Sequence, residues 1–75
     1  MNEQTIIEKA VEVAGGVAAL AGRVGVSSQA VSQWLSGVTR PSLENAKAVE
    51  AATEGAVRWR DIRPDIARLV DSTAA

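Results

Sequence analysis

The stretch "VAALAGRVGVSSQAVSQWLSG", residues 17 to 37, holds two short segments of helical periodicity separated by only three residues. In the first, Leu20, Ala21 and Val24 fall on one side of a helix spanning 17–24. In the second, spanning 28–36, a wheel of about 100° per residue puts Ala30, Val31, Trp34 and Leu35 on one arc. Ser28, Gln29, Ser32, Gln33 and Ser36 take the opposite arc. Gly25 stands where the first helix needs a left-handed residue to end, and Val26 can fold back onto the preceding turn. Ser27 is placed to cap the second helix, and Gly37 to stop it. Two helices so close in sequence, each with one apolar side, bury those sides by crossing. Ala21 permits close approach at the crossing, Gly25 supplies φ > 0, and Val31 and Trp34 anchor the second helix inside. This is the plan of a helix-turn-helix.

The rest of the chain reads as further helices. From about residue 3 to 14, Ile6, Ile7, Ala10, Val11 and Ala14 recur at helical spacing, and Gly15-Gly16 ends the run. "VTRP" is a loop. Ser42 caps a fourth helix that runs to about Thr53, with Leu43, Ala46, Val49 and Ala52 inward and Gly55 as its stop. Val57 is expected to be buried in an extended piece. A short helical turn at 59–62 follows. Pro64 then opens one more short helix carrying Ile66, Leu69 and Val70. The expected fold class is all-α, a bundle of short helices forming a single domain over residues 1–70, with 71–75 as a frayed tail.

A chain of 75 residues buries only about 60% of the surface it exposes when unfolded. It has no Cys, hence no disulfide, and no His. A His-based triad or His general base is therefore excluded, and a zinc site would have carboxylates alone. Neither an enzyme nor a metal or cofactor is expected. Asp61 and Asp65 lie four apart, but Arg58, Arg60, Arg63 and Arg68 surround them, which favours surface ion pairing over catalysis. Gly15-Gly16 lacks both the Lys of a P-loop and a preceding strand. There is no 18-residue apolar run, and "MNEQTIIEK" does not resemble a secretory signal, so the expected setting is cytoplasmic, away from membranes.

The polar arc of residues 28–36 is the distinctive feature. Solvated helix faces usually carry Lys and Glu, and this one carries neither. The net charge of −1 is low for a nucleic-acid-binding chain, but residues 15–43 contain two Arg and no acid at all. A helix in the major groove reads hydrogen-bond patterns on base edges: Gln pairs bidentately with adenine, and Ser donates or accepts. Gln29 and Gln33, then Ser28 and Ser32, are the expected base contacts. Ser36, late on the helix, is expected to touch the DNA backbone. Other phosphate contacts are expected from Arg40, from Ser27, and from the helix N-terminus at Val17, with Arg23 and Lys47 as further cations. The partner is then double-stranded operator DNA.

The sequence also resembles a family. "AGGVAALAGRVGVSSQAVSQWLSG", "RPSLENAKAVEAATEGAV" and "DIRPD" resemble the Cro/CI-type repressors of lambda-repressor-like fold, and most of all the small YdaS-type regulators, called antitoxins, of prophage regions. The likeness runs from about Val13 to Asp65. It implies a lambda-repressor-like bundle of four to five helices that binds operator DNA, typically as a dimer, with a cognate toxin protein as an alternative partner. Two positions depart from the pattern. Arg58 stands where the group tends to have a capping Ser or Thr, and Trp59 where a polar residue is expected.

One recognition helix covers few base pairs, so a homodimer is expected, with two helices about one DNA turn apart. Trp59, Ile66, Leu69 and Val70 form the expected interface, because they are more apolar surface than a small monomer needs to expose. Against this, Ile62, Ile66 and Leu69 could simply close the bottom of the monomer core, with Trp59 lying over it.

Overall fold

The computed structural model describes residues 3–73, without the side chains of Glu3, Gln4 and Thr73. Six helices follow one another among the described residues: α1 (Glu3–Ala14), α2 (Val17–Val24), α3 (Ser28–Ser36), α4 (Leu43–Ala52), α5 (Trp59–Ile62) and α6 (Pro64–Thr73). The expected all-α bundle is what forms. Residues 71–73, expected to fray, continue α6, and residues 74 and 75 lie outside the described part. No helix among the described residues is long and apolar enough to cross a membrane.

The core comes from the apolar stripes. Ile6, Ile7, Ala10 and Ala14 of α1 meet Leu20 and Ala21 of α2, Val31 and Trp34 of α3, and Ala46 and Val49 of α4. Val57 and Ile62 close it from below. The small residues Ala10, Ala21 and Ala46 are all buried, and they let helix backbones approach closely enough for a short chain to enclose its larger side chains. The last helix turns only part of its apolar stripe inward. Ala67 is buried and Ile66 half-buried, whereas Leu69 and Val70 stay exposed. Leu69 therefore does not close the bottom of the core; Val57 and Ile62 do.

The junctions explain the geometry between helices. Gly25 adopts φ 88°, and its N–H and that of Val26 both donate to the Ala21 carbonyl, at 2.9 and 3.0 Å. These bonds satisfy the helix end and turn the chain sharply into α3. Ser27 Oγ accepts the Ala30 N–H, and Ser42 Oγ accepts the Asn45 N–H, each at 3.1 Å, so both expected Ser caps form. α4 ends at Ala52 with Thr53 as its C-cap, and the chain leaves it through two left-handed residues, Glu54 and Gly55.

Thr53 organises that exit. Its side chain is buried, and its Oγ1 accepts the Val57 N–H at 3.1 Å while its hydroxyl faces the Val49 carbonyl at 3.0 Å. The next helix is capped from a distance. Arg58 makes no side-chain cap to α5; the Trp59 N–H instead donates to Glu50 Oε1 of α4 at 2.9 Å. A carboxylate from a neighbouring helix thus does the work that a local Ser or Thr would do.

Candidate nucleic-acid interface

α2 and α3 pack as a pair, and α3 is fastened by one side only. Val31 and Trp34 are buried, Trp34 at 5% exposure, with Ala30 and Leu35 packed beside them. The fixed inner side determines what the outer side presents. Ser28, Gln29, Ser32 and Ser36 are exposed and Gln33 is half-buried. The five polar residues singled out in the sequence therefore share one face. Ser36 Oγ donates back to the Gln33 carbonyl at 3.2 Å, so its hydroxyl is partly engaged within its own helix. The same carbonyl accepts the Val38 N–H at 3.0 Å, which closes the C-terminus of α3 beyond Gly37. Val38 and Thr39 follow directly and are exposed. Sequence periodicity had no means of nominating them, because they lie past the helix.

At the other end of the pair, Gly16 precedes α2 in an extended left-handed geometry and gives it no side-chain cap. The first N–H groups of α2 thus depend on solvent or a ligand. Val17 packs its side chain against the core, so what it offers an anion is its backbone. Ser27 is exposed; its Oγ accepts the Ala30 N–H in capping α3, and its O–H can still donate to a phosphate.

The cations are placed less simply. Arg23 Nη1 donates to the Ala52 carbonyl at 3.3 Å, tying α2 to the end of α4. Lys47 Nζ lies 5.7 Å from the centre of the Trp59 ring, and the Arg60 guanidinium lies 4.9 Å from it. Lys47 thus belongs to the lower part of the bundle with α5. Trp59 is half-buried, packed on the core and flanked by two cations.

Arg40, in the loop after α3, reaches to the first turn of α6. Its Nη2 donates to Asp65 Oδ1 at 3.1 Å. Arg63 also holds Asp65, and its Nη1 donates to the Pro41 carbonyl at 2.8 Å. The Arg63 hydrogen bond, aided by the Ile66 N–H and by the Arg63 and Arg40 charges, holds the Asp65 carboxyl well below the usual carboxylate range. A separate pair, Arg60 with Asp71 at 3.0 Å, joins α5 to the later turns of α6.

The described residues thus offer an uncharged hydrogen-bonding face on α3, an α2 N-terminus without a side-chain cap, and Arg40 in the loop that follows α3. A shallow cleft of about 370 Å³ does exist elsewhere, lined by Ile6, Lys9, Val57, Arg60, Asp61 and Pro64, on the side formed by α1, α5 and α6. It contains none of the predicted DNA-contact residues.

The family model described as "Bacterial toxin YdaS" matches residues 7–70. The chain is 41% identical over 65 residues to "Putative transcriptional regulator YdaS" of Escherichia coli (strain K12), covering 87% of this chain and 66% of that protein. This chain thus spans just under two thirds of the relative's length. No solved structure gives a significant match.

Proposed function

The chain belongs to the YdaS family, and from that premise we propose that it is a sequence-specific DNA-binding regulator of transcription, a repressor of phage or prophage type acting in the cytoplasm. The relative's name supports the regulatory role. The observation that carries the DNA reading is the outer face of α3: Ser28, Gln29, Ser32 and Gln33, free of charge, in a stretch from Gly15 to Leu43 that contains no acid. Lys or Arg on that face would grip any phosphate. Gln and Ser discriminate between base edges, because a wrong base leaves a desolvated polar group unpaired. In this reading Gln29 and Gln33 make the main base contacts, with Ser28 and Ser32 beside them. The N–H groups at Val17, with Ser27, Ser36 and Arg40, hold the backbone, and Arg23 and Lys47 add long-range attraction only.

The test is a mobility-shift titration with the region upstream of the protein's own gene against random duplex. Gln29→Ala and Gln33→Ala are each expected to weaken the specific complex by about 1–3 kcal/mol and leave random-sequence binding nearly unchanged. Equal losses on both duplexes would remove these residues from base reading.

The protein acts as a homodimer in this proposal, joined through α6 and its surroundings. Leu69 is 65% exposed and Val70 40%, beside the half-buried Ile66 and Trp59. A second reading uses the same surface for a protein partner, a cognate toxin bound by this chain as antitoxin; the low isoelectric point of about 5.3 favours a protein contact there. The two readings differ in oligomeric state, which sedimentation at DNA-binding concentrations distinguishes.

A further inference from the structure

The "DIRPD" segment, residues 61–65, is a motif that helix capping and core packing do not use up. Ile62 is core. Arg63 and Asp65 instead form a three-residue charge relay with Arg40, 25 residues earlier. Arg63 is the sheltered member, with its side chain 18% exposed, while Arg40 and Asp65 are each 44% exposed. Arg63 grips both oxygens of Asp65, at 3.2 and 3.0 Å, and also holds the Pro41 carbonyl next to Arg40. Arg40 takes one oxygen of the same carboxylate.

We propose that Asp65 is an internal competitor for DNA phosphate: it holds Arg40 in the free protein and releases it to the backbone when α3 enters the groove. This inference rests on the DNA-binding reading above. Carboxylate and phosphate oxygens present the same acceptor geometry to a guanidinium, so one anion can replace the other on Arg40. The exchange is open to solvent at both partners. It strands no charge, because Arg63 keeps its two bonds to Asp65 after Arg40 has left. It also needs no backbone movement, because Arg63 pins the loop at Pro41. Giving up the Asp65 contact costs no more than an exposed ion pair is worth, so Asp65 lowers affinity for every sequence by a modest and equal factor.

Asp65→Asn removes the competitor's charge and keeps its shape. The variant is expected to bind both random-sequence duplex and the upstream region about two- to fivefold tighter than wild type, as an exposed pair's worth implies. Asp65→Ser, which can still accept a hydrogen bond in the first turn of α6, is expected to do the same. The gain should vanish in an Arg40→Ala background, where the salt slope of binding also falls by about one unit. A gain of full size in that background would show simple charge repulsion and overturn the proposal. So would an Asp65→Asn protein that melts normally and binds no tighter, which would make the relay only a staple between the loop and α6. If the wild type selects its upstream region through Gln29 and Gln33 and either of these results is found, the Asp65 assignment alone falls. If the wild type binds neither duplex, the DNA-binding reading falls and takes this proposal with it.

Discussion

Replacing Thr53 by Val tests how the chain leaves α4. Thr53 is 3% exposed, and its Oγ1 is the acceptor for the Val57 N–H at 3.1 Å. Val has nearly the same shape, so packing changes little, but the Val57 amide loses its acceptor beside a side chain that is itself buried. Of the carbonyls that face the hydroxyl, Val57 O gives up a long contact of 3.4 Å and the other two keep a backbone donor. Val49 O still accepts the Thr53 N–H at 3.0 Å, and Glu50 O still accepts the Gly55 N–H at 2.9 Å. The loss is therefore one orphaned buried amide, about 1–3 kcal/mol. For a chain of this size that is a fall in melting temperature of about 4–24 °C. Thr53→Ser keeps the acceptor and loses one methyl, at about 0.5–1.5 kcal/mol. Circular dichroism at 222 nm during heating, with urea titration of the same variants, measures both. The ordering wild type, then Ser, then Val is the expected one. A Thr53→Val protein that melts at or above the wild type would refute the reasoning, because the Val57 amide would then have another partner.

Trp34→Ala is expected to cost about 3–5 kcal/mol, as for a buried aromatic, which is a large share of the about 4–11 kcal/mol available to a 75-residue domain; near-normal melting with lost DNA binding would instead place Trp34 at the DNA surface. For the homodimer, sedimentation of wild type, Trp59→Ala and Leu69→Asp at the concentrations used for DNA binding is expected to show a wild-type dimer and weakened variants. A wild-type monomer that binds its operator alone would sink the dimer and leave the α6 surface to another protein, and a dimer indifferent to both changes would place the interface elsewhere.

What the sequence discloses and what it conceals divide by distance along the chain. The Ser27 and Ser42 caps, the Gly25 turn and the two-sided pattern of α3 were all readable, because each acts within about one helical turn of its own position. Thr53 and Glu50 were not. Thr53 looks like a weak helix-ending residue, and its use as a buried acceptor depends on the chain returning at Val57. Glu50 looks like a surface acid on α4, and its role as the cap of α5 depends on a partner nine residues away. Along α6 the sequence left two readings open, Leu69 in the core or Leu69 on the surface, because periodicity alone does not say how a helix opening at Pro64 is set against the bundle; in the fold Ala67 is buried and Leu69 and Val70 are exposed.

The same divide governs the electrostatics of the interface. The chain has eight Lys and Arg, and the sequence reading singled out Arg40, Arg23 and Lys47 among them, of which Lys47 lies over the Trp59 ring. In the fold Arg23 serves the Ala52 carbonyl and Arg40 serves Asp65. A cation already bonded inside the protein gains less from a phosphate than a solvated one, by whatever its internal partner contributes. With a net charge of −1 and its nearest cations so committed, the protein has little means of holding DNA by charge alone. In the proposed DNA-binding reading, affinity then comes chiefly from neutral contacts: the Gln and Ser side chains of α3 and the N–H groups at the start of α2. A binding surface built this way is weak on random sequence and depends strongly on base identity. The α3 sequence, with five polar residues and no charge, is suited to that balance.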